Sequence, residues 1–261
     1  MTLLAERTTT AAADALEAAD VAVLPTGSTE QHGPALPLGM DHMAARAFAR
    51  RAVERTNESH DGATAVVLPT VPVGVSVHHR QFDGTLYVSE ETFERYVAET
   101  LSSLAEHGLG KAVVVNGHGG NGAALRRAAR RLRDDRTAFA PPWNWWDAVD
   151  DLADDLFDEE GGHADAMESS LLWHLREDLV VPDELEAAEE GASEGWGETV
   201  QGAPTGFDTI DFSESGAVGR PTQADPEKGR ELFETGCDRL VTLFDWLAER
   251  PLEDCWPRAH K

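Results

Sequence analysis

The sequence has few lysines, few cysteines and no long apolar run. Of its 22 basic residues only three are Lys, against 48 acidic residues, so the formal net charge is −26. A chain this acidic repels phosphate backbones, which argues against nucleic-acid binding. The acidic residues are spread along the chain and do not form a tail. We therefore interpret the negative charge as an adaptation to high salt, as in the proteins of halophiles. Molar salt reduces the Debye length to about 3 Å and screens such repulsion.

The missing features also bear on the protein's location in the cell. No apolar run approaches the roughly 20 residues that a membrane helix needs, so no membrane partner is expected. Residues 1–20 lack a basic stretch followed by an apolar core, which predicts no signal peptide and a cytoplasmic location. Cys237 and Cys255 lie near the C-terminus, outside every polar cluster. We therefore expect neither a disulfide framework nor a cysteine-based zinc site.

What the sequence does contain is an alternation of short apolar runs and longer helical patterns. The runs are typical of buried strands and lie at 21–25, 63–69, 111–117 and, more weakly, 136–141. Helical patterns lie at 41–56, 89–107, 121–134, 163–177 and 226–249. This order predicts an α/β fold with three layers, a mainly parallel sheet between helices on both faces. The region 183–224 has no clear periodicity and is predicted as loop with short strands near 198–212. No repeat or linker divides residues 1–261, so a single domain is predicted.

Polar residues follow three consecutive predicted strands, at the point where each strand ends. Glu30 and His32 follow the first, His78 and His79 the second, and His118 the third. In a parallel α/β sheet, ligands bind beyond the carboxyl ends of the strands, so these side chains are expected at one edge.

Carboxylates and imidazoles together suit zinc, manganese or iron(II). Glu30 and His32 lie two residues apart on an extended segment, and Asp41 can return across the loop to share or bridge ions. A further cluster, "HADAMESS", offers His163 and Glu168. Each residue has a simpler interpretation alone: a hydrogen-bonded loop histidine, a helix N-cap at Asp41, a solvated Glu168. Together they favour a metal site.

The residues resemble the creatininase family of metal-dependent amidohydrolases. The matching segments occur in the family's order: "GSTEQHGPALPLGMD" (27–41), "GVSVHHRQFDGT" (74–85), "NGHGGN" (116–121), "HADAMESS" (163–170) and "SESGAVGRPTQADPEKG" (213–229). The resemblance implies an α/β fold, assembly as a homo-oligomer (commonly a hexamer) and a site with two divalent ions, zinc with iron(II) or manganese.

The family's functional residues carry over by position. One ion would take Glu30, Asp41 and His118, and the other would take His32, Asp41 and Glu168. Asp41 would then bridge the ions, and His163 matches the residue proposed to move protons, a role that suits a near-neutral pKa.

The sequence departs from true creatininases at two positions. Gly120 stands where they have a further glutamate ligand, and Ala166 stands where the family keeps an extra Glu. The first ion would keep three protein ligands plus water, which makes creatinine a less expected substrate.

The function implied is hydrolysis of a carbon–nitrogen bond other than a peptide bond by a water that bridges two cations and has a lowered pKa. The first expectation for the small-molecule substrate is a formylaminopyrimidine ribonucleotide, deformylated in riboflavin and F420 biosynthesis, as in an archaeal branch of the family. The alternatives are creatinine or another cyclic amide, a mycofactocin-type peptide, and a metal-binding scaffold without turnover.

Five residues are weaker candidates for substrate binding. His78 follows the second strand, and Arg80 is a candidate partner for a phosphate, as is Arg220. Trp143 and Trp145 lie in "PPWNWWD" and are candidates for a wall that stacks on a planar ring. Core or subunit-interface tryptophans are an equally good interpretation of that segment.

Overall fold

The computed structural model describes residues 3–59, 62–158 and 161–259. Its centre is a four-stranded sheet in the order β2-β1-β3-β4, in which every neighbouring pair is parallel. The strands are β1 (Val21–Thr26), β2 (Ala65–Val67), β3 (Ala112–Asn116) and β4 (Pro142–Asn144). The first three are apolar along nearly their whole length and buried, as expected of parallel strands covered on both faces.

Eight helices surround the sheet within the described residues. They are α1 (Thr9–Ala18), α2 (Met40–Glu58), α3 (Glu90–Ala105), α4 (Gly122–Asp134), α5 (Asp150–Leu156), α6 (Ala166–Leu175), α7 (Leu185–Glu190) and α8 (Pro226–Ala248). Ser89 is the N-cap residue of α3, and its side chain accepts a hydrogen bond from the Thr92 N–H.

Two hydrophobic clusters lie on opposite faces of the sheet. On one face Val23 and Val113 pack with Phe48 of α2 and with α6 and α8. On the other face Ala22 and Val114 pack with α3 and α4. Alternate residues of a strand point to opposite faces, so β1 and β3 supply both clusters. The three-layer α/β/α fold is confirmed.

Local boundaries differ from those predicted at two places. The predicted strand at 136–141 is wrong, because pairing with β3 runs from Pro142 to Asn144 and only an isolated bridge joins Phe139 to Lys111. The helix predicted from residue 163 begins at Ala166. The reason is local, since Ala164 has a φ of 48°, which a helix cannot accommodate.

The region 183–224 holds more structure than its sequence indicates. It contains α7 and a short antiparallel pair, β5 (Thr199–Val200) and β6 (Ala203–Pro204), where short strands were predicted. Its two ends are held together by a bridge between Ser193 and Val218. Helices α1, α5 and α7 were not predicted.

No helix among the described residues is long and apolar enough to cross a membrane. Cys237 and Cys255 are buried free thiols, in agreement with the expectation that they form no disulfide framework.

Candidate metal centre

The carboxyl edge of the sheet brings the five predicted metal ligands together. Two follow β1, one follows β3, and two lie in the first turns of α2 and α6. All five side chains are buried: Glu30, His32, Asp41, His118 and Glu168.

Asp41 reaches this edge because two glycines let α2 approach the strand ends. A Cβ at Gly117 would lie 2.1 Å from the Asp41 carbonyl oxygen, and one at Gly27 would lie 2.4 Å from the His42 nitrogen. The N-cap of α2 is Gly39, and the Asp41 side chain faces inward without capping the helix. The simpler interpretation of Asp41 as an N-cap is therefore wrong.

The two oxygens of Asp41 face two different histidines. Oδ1 lies 3.0 Å from His32 Nε2, and Oδ2 lies 3.2 Å from His118 Nδ1. Glu30 Oε1 adds a second carboxylate on the His118 side at 3.1 Å, and Glu168 Oε2 adds one on the His32 side at 3.7 Å. Asp41 thus lies between two groups of ligand atoms.

Backbone carbonyls hold both histidines through their other ring nitrogens. His32 Nδ1–H donates to the Glu30 carbonyl oxygen at 3.1 Å, and His118 Nε2–H donates to the Val75 carbonyl oxygen at 3.0 Å. Metal-ligating histidines are usually oriented in this way. The nitrogens left for an ion are the ones that face the carboxylates.

Unpartnered carboxylate oxygens show that the arrangement fits a bound cation. Both side-chain oxygens of Glu30 and Oδ2 of Asp41 are buried without a hydrogen-bond partner in the described part of the chain. Leaving buried charged oxygens unpaired is costly, and divalent ions would satisfy them. Ligand atoms lie within 4.8 Å of one another in the group Glu30, Asp41 and His118 and in the group His32, His163 and Glu168. These groups support divalent-metal binding.

Electrostatics couple the histidines to the carboxylates. Burial lowers the pKa of His32, but the carboxylates of Asp41, Glu168 and Glu30 together outweigh this effect and raise it to about 10. Burial raises the pKa of Asp41, but His32 and His118 bring it down to about 2. Burial also lowers the pKa of His118, yet Glu30 and Asp41 hold it well above its ordinary value. The metal-free site therefore holds imidazolium–carboxylate pairs.

Glu168 and His163 are shifted in the opposite sense, mainly by burial. Burial raises the pKa of Glu168 to about 8. Burial, together with the charge of His32, lowers the pKa of His163 to about 3. In the metal-free site, burial and the neighbouring His32 thus hold the pKa of His163 below the near-neutral value expected of it.

His163 lies just before α6, on the extended backbone that pairs with Val218. Its Nε2–H donates to the Gln31 carbonyl oxygen at 2.7 Å. Its Nδ1 lies 3.8 Å from Glu30 Oε1 and 4.0 Å from Glu168 Oε2. The free nitrogen thus points at the same carboxylates as the predicted ligands.

A cavity of about 830 Å³ opens onto these residues. His78 and Trp146 line it, together with Trp196, Phe207 and Phe212 from the region 183–224. The Trp196 ring lies 6.3 Å from the rings of His78 and His163 and is half exposed. No sequence pattern marked these three aromatic residues, because their segment has no periodicity.

Three of the weaker substrate-binding candidates lie elsewhere. Trp145 is fully buried and stacks on Phe48 at 5.8 Å, and Trp143 packs edge-on against the same ring at 5.6 Å. Arg80 donates to Asp208 at 2.6 Å and does not line the cavity. The stacking wall at Trp143 and Trp145 is therefore corrected to hydrophobic packing, because the chain after β4 turns toward α2.

Sequence reasoning placed His79 at the sheet edge without giving it a role, and it missed Asp165. His79, not His78, is the enclosed member of the histidine pair, and its Nε2 lies 3.4 Å from Glu30 Oε1. Asp165 caps α6 by accepting from the Glu168 N–H. The spacing of Asp165 and Glu168 is a helix-start signature that would have revealed the cap.

Gly120 leaves no room for the glutamate found in creatininases. A Cβ there would lie 2.3 Å from the Val75 carbonyl oxygen and 2.5 Å from His118 Nε2. Close packing around His118 therefore requires glycine at position 120.

Fold and site together define an α/β enzyme with a divalent-metal centre at the carboxyl edge of a parallel sheet. The creatininase family, described as creatinine amidohydrolase, matches residues 5–244. The chain belongs to this family and is a hydrolase of the amidohydrolase class, acting on carbon–nitrogen bonds.

Relatives and solved structures agree with that assignment. The chain is 36% identical to the mycofactocin precursor peptide peptidase of Mycolicibacterium smegmatis, over 84% of this chain and 83% of that protein. It is 28% identical to the 3-dehydro-scyllo-inosose hydrolase of Thermotoga maritima, over 90% and 80%. A solved structure named "Creatininase Mn" superposes with a TM-score of 0.76 at 24% identity, covering 93% of this chain and 96% of that one.

Proposed function

We propose that this chain hydrolyses an amide bond at a centre that holds two divalent ions. The observation that carries the proposal is the position of Asp41, whose two oxygens face His32 and His118 at 3.0 and 3.2 Å. Glu30 would complete the first ligand set and Glu168 the second. When bound, the ions would lower the pKa of a bound water and polarise the substrate carbonyl.

His163 is the residue we assign to proton transfer. It is neutral, its Nε2–H is held by the Gln31 carbonyl oxygen, and its Nδ1 lone pair faces the carboxylates. That nitrogen can take the proton of the attacking water and deliver it to the leaving nitrogen of the amide. Its burial keeps bulk water from competing for the proton.

A short peptide or peptide-like amide is the first substrate class that we propose. The 36% identity to a mycofactocin precursor peptide peptidase over most of both chains supports it. A cavity of about 830 Å³ with an aromatic wall at Trp196 and Phe207 also suits an apolar or aromatic side chain next to the cleaved bond.

A formylaminopyrimidine ribonucleotide is the second candidate, and a different observation favours it. A second cavity of about 880 Å³ shares Gly161 and Glu194 with the first and is lined by Arg220. A planar ring beside Trp196 would direct a phosphate toward this neighbouring cavity, where Arg220 is the cationic side chain in a lining that also contains Asp158, Glu189 and Glu194.

Metal content and two variants test the proposed chemistry. Purified protein should hold about two divalent ions per chain, with zinc, iron(II) and manganese as the candidates, and a chelator should abolish amide hydrolysis. His118→Ala should lose metal, whereas His163→Ala should keep metal and lose turnover by roughly 10²–10⁴-fold. Full activity of a metal-free preparation would overturn the proposal.

Products distinguish the substrate classes. Formate release identifies the nucleotide, new peptide termini identify the peptide, and creatine identifies the cyclic amide creatinine. Metal loading without any of these products would favour the scaffold. Assembly as a homo-oligomer, with a hexamer as the expected form, stays a prediction that sedimentation can check.

A further inference from the structure

Gln31 lies between two buried histidines beside the proposed metal centre. Its side-chain nitrogen lies 2.8 Å from His79 Nδ1, 2.9 Å from His163 Nε2 and 3.0 Å from the Gly216 carbonyl oxygen. Its side-chain oxygen accepts from the Gly33 N–H at 2.9 Å. The backbone at Gly33 and Gly216 therefore fixes which end of the amide donates and which accepts.

Counting hydrogens then determines the tautomer of His79. The Gln31 amide has two hydrogens, and one goes to the Gly216 carbonyl oxygen. His163 Nε2 cannot accept the other, because it donates its own hydrogen to the Gln31 carbonyl oxygen. The second hydrogen goes to His79 Nδ1, which the Thr209 hydroxyl also approaches at 3.0 Å. His79 Nδ1 is an acceptor, so its single hydrogen is on Nε2.

That Nε2–H points at a metal-site carboxylate. It lies 3.4 Å from Glu30 Oε1, an oxygen that His118 Nδ1 also faces at 3.1 Å, and His79 Nε2 is buried without a hydrogen-bond partner elsewhere in the described ranges. His79 therefore differs from His32 and His118, whose N–H groups are directed at backbone carbonyls. His79 thus presents an N–H donor to the carboxylate, whereas His32 and His118 present to the carboxylates the ring nitrogens that would bind an ion.

We propose that Gln31 and His79 are positioning residues for Glu30. Gln31 sets the tautomer, and His79 Nε2–H holds Glu30 Oε1 so that the carboxylate is oriented toward its ion. This role rests on the proposed metal centre. A competing arrangement exists, since His79 forms a third compact group with Glu30 and His163 within 4.8 Å and would there be a ligand itself. A ligand at Nε2 would need the hydrogen on Nδ1, where the Gln31 amide and the Thr209 hydroxyl approach.

The tautomer is directly measurable in zinc-loaded protein. Long-range ¹H–¹⁵N correlation spectra of ¹⁵N-histidine-labelled protein separate a nitrogen that carries hydrogen from one that does not, and the signals absent in His79→Gln identify His79. We expect hydrogen on Nε2 and a bare Nδ1. Hydrogen on Nδ1, or an Nε2 shifted by coordination, would overturn the assignment.

Metal affinity tests the consequence for Glu30. His79→Phe keeps the ring volume but removes the donor, and we expect the ion at Glu30 to bind about 10–100-fold more weakly. In His79→Gln the amide nitrogen occupies a place close to that of Nε2, and we expect most of this loss to be restored. His174→Phe removes a half-buried histidine that packs against Phe233 of α8 and is the matched control.

The outcomes separate this inference from the proposed function. If the unmodified protein binds no divalent ions, the metal centre itself is wrong. If it binds two ions and His79→Phe binds both as tightly, the positioning role is wrong while the centre stands. Equal losses in His79→Phe and His79→Gln would also contradict the role, because the donor would then be irrelevant.

Discussion

At the scale of single residues, protons occupy the metal-free centre at the nitrogens where ions would bind. His32 Nε2 and His118 Nδ1 lie against Asp41 and Glu30, which raise the pKa of each imidazole. An ion can bind these nitrogens only after their protons leave. Metal binding and protonation are therefore competing events at the same atoms.

The first prediction is that metal affinity rises with pH. Since the pKa of His32 is raised to about 10, the fraction of the ring able to bind an ion grows with pH up to that value. Glu168, with a pKa of about 8, adds a proton that must leave at neutral pH. We expect the apparent affinity to rise by about tenfold per pH unit for each proton released. Chelator competition with zinc between pH 6 and 9 measures the slope.

A variant that lacks one ligand tests which residues release these protons when metal binds. His118→Gln removes one titrating ligand, so the slope should fall by about one proton even where some metal still binds. An affinity that does not change with pH in the unmodified protein would show that the histidines are already neutral without metal.

Individual residues were predictable only where a family pattern or strand order marked them. Glu30 and His32 follow the first predicted strand and His118 the third, so sequence alone brought them to one edge. The role of His79 depends on Gln31 and on Thr209 from a distant loop, and no local pattern encodes that meeting. Trp145 was misjudged because burial of an aromatic residue depends on the helix packed against it.

At the scale of elements, the start of α6 determines where Glu168 points. Asp165 accepts from the Glu168 N–H at 2.8 Å and from the Gly162 N–H at 2.7 Å. The Glu168 carboxylate in turn accepts from the Ala164 N–H at 2.7 Å. The helix cap and the predicted metal ligand form one local network, which the sequence-based helix boundary at residue 163 did not anticipate.

We predict that Asp165→Ala weakens both stability and metal binding. Loss of the cap should lower the free energy of unfolding by about 1 kcal/mol. It should also free the Glu168 backbone, so that the ion near His32 binds more weakly. Urea unfolding and a zinc titration measure the two effects.

The control is Asp225→Ala, which removes the corresponding cap from α8, where Asp225 accepts from the Glu227 N–H. It should cost similar stability without a change in metal affinity. If both variants bind metal as the unmodified protein does, Asp165 has no role beyond capping.

At the scale of the whole molecule, charge is the dominant feature. A net charge of −26 on 261 residues repels itself, and the surface offers few cations to offset it. Exposed ion pairs such as Arg127 with Glu90 and Glu94 contribute little each. Sequence captured this property and the α/β layers fully, because charge and apolar periodicity are sums over many residues and do not depend on single contacts.

We predict that added salt stabilises the protein by screening this repulsion. The melting temperature should rise between 0.1 and 1 M KCl, where the Debye length falls from about 10 to about 3 Å. Each kcal/mol gained should raise it by about 2–4 °C. Calorimetry in KCl, with sorbitol as an uncharged control, measures the effect. A melting temperature that is flat in KCl would exclude self-repulsion as a significant term.

The region between Ser193 and Val218 contributes both to the wall of the cavity and to the support of the proposed metal centre. It supplies Trp196 and Phe207 to the cavity wall, and it also supplies the Thr209 hydroxyl and the Gly216 carbonyl that hold His79 and Gln31. If Gln31 and His79 position Glu30 as proposed, a displacement of this backbone that widens the cavity would also withdraw support from Glu30. Access to the cavity and retention of the proposed ions would then depend on the same segment, so that a more open cavity would come with weaker metal binding.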